Sequence, residues 1–216
     1  MKTIAALLTA LVLSGAAISA DPERLKDAAD VIKEMATTDD KGIPTNLLNK
    51  ARCVVVIPSL TKVAFGVGGQ FGKGYLSCRT GSGWSAPGSI RVEGGSFGFQ
   101  IGGSATDVIL LIMNDRGMDK LLSNEFKVGA DASVAAGPMG RQASAETDIT
   151  MRAEMLAYSR SRGVFAGIAI QGSTLRQDSD ENEELYGRKI PNREIVSGKV
   201  TIPDAAKPFI DALSKY

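Results

Sequence analysis

Apolar residues recur every three or four positions near both ends of the sequence. Between residues 21 and 38 they are Leu25, Ala28, Ala29, Ile32 and Met35, and between residues 203 and 216 they are Ala206, Phe209, Ile210 and Leu213. This spacing places each set on one face of a helix. Pro44 is suited to begin a further short helix that continues to Ala51. The pattern therefore predicts helices at both ends of the chain.

The middle of the chain follows a period of two. Over residues 63–75 large side chains mostly alternate with Gly, Ala or Gln, and this pattern returns over residues 97–102. Such alternation predicts strands with one nearly bare face. Residues 108–113 are apolar throughout, which predicts a strand buried on both faces. Residues 126–136 alternate as a half-buried antiparallel strand does.

The other segments are short, and no repeat or linker divides them. Residues 116–123 predict a short helix, residues 151–159 a strand or a helix, and residues 164–171 a strand. The acidic segment 178–186 predicts a loop or a short helix. We expect residues 21–216 to form one α+β domain, a twisted, antiparallel, barrel-like and glycine-rich sheet flanked by N-terminal and C-terminal helices.

Glycine is over-represented, with 24 of 216 residues against a usual share of about 7%. The segment Gly72-Lys73-Gly74 lacks the Ser or Thr that a phosphate-binding loop needs after its lysine. Because Phe, Val and Ile are interleaved with the glycines, we interpret them as strand residues. We expect another backbone or a helix to approach the sheet closely at four of them. These are Gly66, Gly68, Gly98 and Gly102.

The N-terminal segment resembles an export signal. Lys2 precedes an apolar run over residues 4–13, and small residues follow to Ala20. We therefore expect residues 1–20 to be a cleaved signal peptide. The remaining chain would carry 24 basic and 24 acidic residues, a balance that argues against nucleic acid as a partner.

Cys53 and Cys78 both lie in the part expected to be exported, where thiols tend to be oxidised. Each lies in a strand-like apolar segment, so a cross-strand disulfide is expected. The alternative is a pair of buried free thiols. No Cys-x-x-Cys motif is present, which argues against redox catalysis.

Histidine is absent from the sequence. Its absence excludes Ser-His-Asp and Cys-His relays and any His-containing metal site. Residues 178–182 match the start of a calcium loop, but Glu183 and Lys189 occupy the positions that require Gly and Glu. We expect no enzyme activity, no metal and no cofactor.

Six basic residues lie at predicted strand ends or turns, where their side chains could meet around an anionic head group. They are Lys62, Lys73, Arg79, Arg141, Arg160 and Arg162. The alternative is an ordinary solvated surface with scattered ion pairs. Trp84 is the only tryptophan, and it could be an interfacial anchor or an apolar plug in the sheet.

Several motifs follow one another in the order found in a known family. They are Ala-Arg-Cys-Val-Val-Val-Ile-Pro at 51–58, Gly-Trp-Ser-Ala-Pro at 83–87, Gly-Pro-Met-Gly-Arg at 137–141 and Ser-Arg-Ser-Arg-Gly-Val-Phe-Ala-Gly at 159–167. Residues 107–111 and 185–187 fit the same scheme. The chain thus resembles the SYLF-domain family, known for binding phosphoinositides and other lipids and, in eukaryotic members, actin.

The resemblance implies a non-catalytic lipid-binding module of the bacterial secreted branch, located in the periplasm or cell envelope. Membrane lipid with an anionic head group is the expected partner, and actin is not expected in that compartment. Eukaryotic members use a basic amphipathic N-terminal helix at anionic membranes, whereas residues 21–41 here hold seven acidic and four basic residues. We therefore expect the sheet rim, and not this helix, to meet lipid. The alternative is a structural or protein-interaction module of the envelope without a lipid ligand.

Overall fold

The structure is a computed structural model that describes residues 22–36, 42–140, 153–161, 164–166, 170 and 172–216. Within these ranges, residues 64–67, 96–102 and 164–166 are described by their backbone only. The expected signal peptide lies outside the described residues. No described helix is long and apolar enough to cross a membrane.

Helices lie near both ends of the chain, and strands fill the middle. In chain order the helices are α1 (Pro22–Ala36), α2 (Thr45–Lys50), α3 (Asp115–Leu121), α4 (Ser179–Tyr186), α5 (Asn192–Glu194) and α6 (Lys207–Leu213). A helical turn, Ile195–Lys199, follows α5 and is interrupted at Gly198, which has a positive φ of 83°. A 3-10 turn, Asp204–Ala206, precedes α6. The strands are β1 (Cys53–Thr80), β2 (Gly83–Trp84), β3 (Gly88–Ile112), β4 (Phe126–Lys127), β5 (Val134–Ala136), β6 (Met155–Ser161), β7 (Val164–Ala166) and β8 (Thr174–Gln177).

A long antiparallel hairpin of β1 and β3 forms the centre of the sheet. Its register runs from the pair Cys53–Ile112 to the pair Leu76–Gly88, with shifts after Ile57 and Phe65. Such bulges increase local twist and bend a strand. The outer edge of β3 pairs with β8 near the start of the strand and with β6 near its end. The predicted fold class is confirmed: a curled, barrel-like sheet is flanked by N-terminal and C-terminal helices.

The curl brings the two ends of β1 together. The Arg79 amide donates a hydrogen bond of 2.8 Å to the Arg52 carbonyl oxygen. One residue inward at each end, Cys53 and Cys78 form the predicted disulfide, with an S–S distance of 2.06 Å. The start and the end of one strand are therefore joined covalently.

The sheet separates two apolar layers. Alternate residues of β1 and β3, such as Val54, Val56, Ile109 and Leu111, pack against the helices α1, α2 and α6. The residues between them, such as Val55 and Leu110, fill the inside of the curl. This double burial explains why residues 108–112 lack polar side chains, as predicted.

Some local predictions were confirmed and others were wrong. The amphipathic helix is confirmed as α1, and its predicted face is buried. Residues 126–136 do not form one antiparallel strand. Gly129 adopts a positive φ of 85°, Asp131 accepts a hydrogen bond from the Lys127 amide, and the resulting turn separates β4 from β5, which pairs in parallel with β6.

Candidate ligand groove beside Phe71

A groove of about 450 Å³ lies where the second half of β1 passes the bulge between Ile57 and Leu60 in its first half. The bulge contributes Pro58 and Ser59, and the second half of β1 contributes Phe71 and Lys73. Arg24 from α1, Thr61 and Gly72 from β1, and Arg91, Val92 and Glu93 from β3 complete the lining. We call this cavity the Phe71 groove. Cationic and apolar side chains thus line one opening.

Phe71 is the most exposed large apolar side chain of the described residues whose exposure is known, at 56%. It lies on β1 opposite Glu93 of β3. A single exposed apolar residue is ordinary, but here it adjoins a groove with further apolar surface. The groove can therefore offer apolar contact to a ligand that also reaches its cations.

A buried carboxylate holds the cationic side of the groove in place. Glu181 of α4 accepts hydrogen bonds from Arg24 at 2.7 Å, from the Tyr75 hydroxyl at 2.8 Å and from Lys73 at 3.2 Å. Lys73 also pairs with Asp178 at 2.9 Å. The side chains of Glu181 and Asp178 are about 5% and 4% exposed. Elements α1, β1 and α4 therefore meet at this cluster, which holds the Arg24 and Lys73 side chains at the groove.

The electrostatics of the cluster keep Lys73 charged. Partial burial lowers the pKa of the Lys73 ammonium, but hydrogen bonds and attraction from Asp178 and Glu181 outweigh it, so that the pKa is raised. Burial, and secondly the Glu181 charge, raises the pKa of the Tyr75 hydroxyl. Tyr75 therefore stays protonated and serves as a hydrogen-bond donor to Glu181.

The opposite wall is fixed by a second charged network. Ser59 adopts a positive φ of 54°, and its amide donates a hydrogen bond of 3.0 Å to Asp107. Asp107 also pairs with Arg160 at 2.9 Å, and Arg160 contacts Glu34 of α1. Burial lowers the pKa of Arg160, but Asp107 and Glu34 outweigh it and the net shift is upward. Arg160 is thus linked through Asp107 to the β1 bulge that lines the groove.

The structure places the predicted lipid-binding residues at several sites. Lys73 lines the groove, and Lys62 lies next to Thr61 of the lining. Burial lowers the pKa of the Lys62 ammonium. Arg160 lies behind the groove, bonded to Asp107. Arg141 and Arg162 lie outside the described residues.

Arg79 lies at the end of β1 in a setting of its own. Its guanidinium donates to the main-chain oxygen atoms of Tyr216 at 2.8 Å, Ala51 at 3.2 Å and Leu48 at 3.3 Å. It also lies 4.4 Å from the ring centre of Trp84. Trp84 is buried in the layer beneath the helices, which favours the apolar plug over the interfacial anchor.

Among the cations and the exposed apolar side chain of the groove, sequence reasoning missed Arg24, Phe71 and Arg91. Arg24 belongs to a helix with an acidic excess, and Arg91 belongs to a strand. Their convergence depends on contacts between distant segments, such as Arg24 with Glu181. The only local signal was Phe71 itself, a large side chain between glycine-rich neighbours.

Comparison of the sequence with known proteins identifies the family of the chain. Residues 93–216 match the family described as "Ysc84: Las17-binding protein actin regulator". The chain belongs to the Ysc84/SYLF family. The family assignment made from the sequence motifs is thereby confirmed, and the family is described as a regulator and not as an enzyme.

Relatives align with most of this chain. An "SH3 domain-containing YSC84-like protein 1" of Xenopus laevis is 32% identical over 207 residues, which covers 90% of this chain and 62% of the relative. "Protein YSC84" of Saccharomyces cerevisiae is 31% identical over 199 residues, covering 87% of this chain and 42% of the relative. This Ysc84/SYLF chain thus spans about half the length of these relatives.

Proposed function

We propose that this protein is a non-catalytic lipid-binding protein of the bacterial cell envelope, and that it contacts lipid through the Phe71 groove. The observation that carries the proposal is the position of exposed Phe71 beside Lys73 and Arg91. An amphipathic ligand needs both kinds of contact, an apolar surface for its chain and cations for its head group. Phosphate-bearing head groups suit this set of donors.

Lys73 and Arg91 can bind a head group while they keep their present ion-pair partners. Two donors of the Lys73 ammonium are directed to Asp178 and Glu181, and an ammonium carries three. The Lys73 side chain is 46% exposed, so its remaining donor can reach a ligand. Arg91 is comparably exposed.

The fold supports the groove over the N-terminal helix as the lipid-contacting element. The apolar face of α1 packs into the core against α6, with Leu25, Ala28 and Met35 fully buried. Membrane insertion through that face would require α1 to leave the domain. Phe71 needs no such rearrangement.

Vesicle co-sedimentation tests the proposal. We expect the chain without residues 1–20 to sediment with vesicles of phosphatidylcholine and phosphatidylglycerol, and Phe71→Ser to weaken partitioning about tenfold or more, because burying a Phe side chain contributes about 1.5–3 kcal/mol. Met139→Ser is the matched control, since Met139 is 43% exposed and lies outside the groove lining. No sedimentation of the unsubstituted protein with anionic or zwitterionic vesicles, or an equal loss in both variants, would contradict the proposal.

The envelope location is supported by the signal-like pattern of residues 1–20 and by the Cys53–Cys78 disulfide. Fractionation of expressing bacteria by osmotic shock tests it. The protein is expected in the shock fluid or with membranes, and its mass should correspond to loss of about 20 residues. A full-length cytoplasmic product would contradict this part of the proposal.

The second candidate is a protein-interaction module without lipid ligand, favoured by the family description as a Las17-binding actin regulator. An actin partner is not expected in the envelope. Cross-linking in cells followed by mass spectrometry separates the candidates. A stoichiometric protein partner together with no vesicle binding would support the second and reject the first.

A further inference from the structure

Two arginines face each other across neighbouring strands on the outer side of the sheet. Arg91 of β3 and Arg176 of β8 are direct partners in the antiparallel register. Their neighbours Ile90, Val92 and Leu175 fill the inside of the curl. Since side chains alternate along a strand, both arginines lie on the opposite face. Like charges directly opposite each other destabilise a sheet.

The two arginines line a cavity of about 480 Å³, distinct from the Phe71 groove. Its other walls come from the end of α3 and from α5, which contributes a third guanidinium, Arg193. The remaining lining residues are Leu121, Leu122, Ser123, Asn124, Gln177, Ser179, Pro191 and Asn192. No carboxylate belongs to the lining in the part of the chain that the structure describes. The walls therefore combine three cations with neutral hydroxyl and amide groups.

The acidic partners of these arginines lie outside the cavity. Arg176 pairs with Glu125 and Arg193 pairs with Asp119, both at 3.2 Å. Glu93 lies 3.4 Å from Arg91. All three carboxylates are more than 40% exposed, and exposed pairs of this kind contribute little stability. Each arginine thus has one exposed acidic neighbour, and none of these carboxylates belongs to the cavity lining.

Two donors at this site have no hydrogen-bond partner among the described residues. The Nε atoms of Arg91 and Arg176 are both buried from solvent and form no hydrogen bond of good geometry, although the Arg91 Nε lies 3.4 Å from Glu93 Oε1. Buried unpaired donors are costly and are rare in folded proteins. An anion with several oxygen atoms would accept from these donors and neutralise the facing charges at once.

We propose that Arg91, Arg176 and Arg193 form a binding site for a phosphate group. A guanidinium presents parallel N–H donors that match two oxygens of a phosphate. Three guanidinium groups around one cavity suit a doubly charged phosphate monoester better than a monovalent anion. The group can belong to a soluble phosphate compound or to a lipid head group. The site shares Arg91 with the Phe71 groove, whereas Arg176 and Arg193 lie outside the groove lining.

Thermal unfolding with inorganic phosphate tests the site. We expect phosphate to raise the Tm more than sodium chloride does at equal ionic strength, and Arg176→Gln to weaken the apparent phosphate affinity at least tenfold. Without phosphate, Arg176→Gln should leave the Tm unchanged or raise it, because it removes one of two facing charges. Arg188→Gln is the control, since Arg188 is an exposed, ion-paired arginine outside the lining. Equal effects of phosphate and chloride, or equal phosphate responses of both variants, would overturn the proposal.

The source of the phosphate group is resolved with glycerol 3-phosphate and with vesicles containing phosphatidic acid. A soluble source predicts that Arg176→Gln weakens glycerol 3-phosphate binding and leaves vesicle binding unchanged. A head-group source predicts that it weakens both, and either result supports the site. Phe71→Ser should retain the phosphate response, so that a failure of the groove and a failure of the arginine site give different results. The Phe71→Ser variant could instead keep the Tm of the unsubstituted protein in the absence of phosphate and no longer respond to added phosphate. That result would contradict an independent site.

Discussion

Gly74 lies directly against the carbonyl group of Val56, so that the second half of β1 passes over the first half at backbone contact. A side chain at Gly74 would collide with the Val56 carbonyl oxygen and would come within 2.9 Å of the Ile57 Cα. At Gly72 a side chain would meet Leu60 and Ile57 at 3.0–3.1 Å. Gly74 therefore permits the close approach of two backbones, and Gly72 leaves room for the Leu60 and Ile57 side chains.

Replacing Gly74 with alanine should destabilise the fold by about 3 kcal/mol or prevent folding, because the obstructing atoms are backbone and cannot rotate away. Urea unfolding followed by circular dichroism measures the change. Gly95→Ala is the control, since a Cβ at Gly95 meets nothing within 4 Å, and its free energy of unfolding should stay within about 0.5 kcal/mol of the original. Equal free energies of unfolding of the two variants would contradict the backbone contact between Gly74 and Val56.

The Cys53–Cys78 disulfide should contribute about 3 kcal/mol to stability by closing a loop between residues 25 apart. Urea unfolding with and without dithiothreitol measures this contribution. The double variant Cys53→Ala/Cys78→Ala should lose a similar amount and should no longer respond to the reductant. Two reactive thiols per chain in the unreduced, denatured protein would instead support the free-thiol alternative.

Glu154 is expected to make stability depend on acidic pH. Burial raises the pKa of this carboxyl, but Lys120, the Ser133 amide and Arg116 outweigh it and hold the pKa below its ordinary value of 4.5. The stabilisation is therefore present above about pH 4.5 and is lost as the pH falls through the lower folded-state pKa. Glu154→Gln should cost about 2 kcal/mol at pH 7 and flatten the fall in stability below pH 4.5.

The pH dependence of the unfolding free energy, measured from pH 7 to pH 3, checks this expectation. Glu183→Gln is the control, because Glu183 lies on an exposed part of α4 with a long contact of 3.7 Å to Lys189. If the free energy of unfolding of both variants falls with decreasing pH as steeply as that of the unsubstituted protein, Glu154 is not the cause of the acid sensitivity.

The sequence predicted the elements whose pattern is local. The periodicity of Leu25, Ile32 and Met35 was sufficient for α1, and the apolar run at 108–112 was sufficient for a doubly buried strand. The break within residues 126–136 was missed because a positive φ at Gly129 is compatible with an alternating pattern on either side.

Features that depend on the curl of the sheet could not be predicted from local pattern. Gly66, Gly68, Gly98 and Gly102 were expected at close contacts. Close contacts are found at other glycines, among them Gly72 and Gly74. The expectation for the four stays a prediction, and the surroundings of Gly66, Gly98 and Gly102 lie outside the described part. The opposition of Arg91 and Arg176 likewise arises from the register of segments 85 positions apart in sequence.

The disulfide makes residues 53–78 a covalently closed ring, because both cysteines belong to one strand. Lys62 and Lys73 lie within that ring. A protease that cuts after either lysine opens the ring without releasing a fragment, and the nicked chain remains one molecule until the bond is reduced. Damage to the strand that forms the Phe71 groove would thus leave the protein's mass almost unchanged, and only reduction would reveal two pieces.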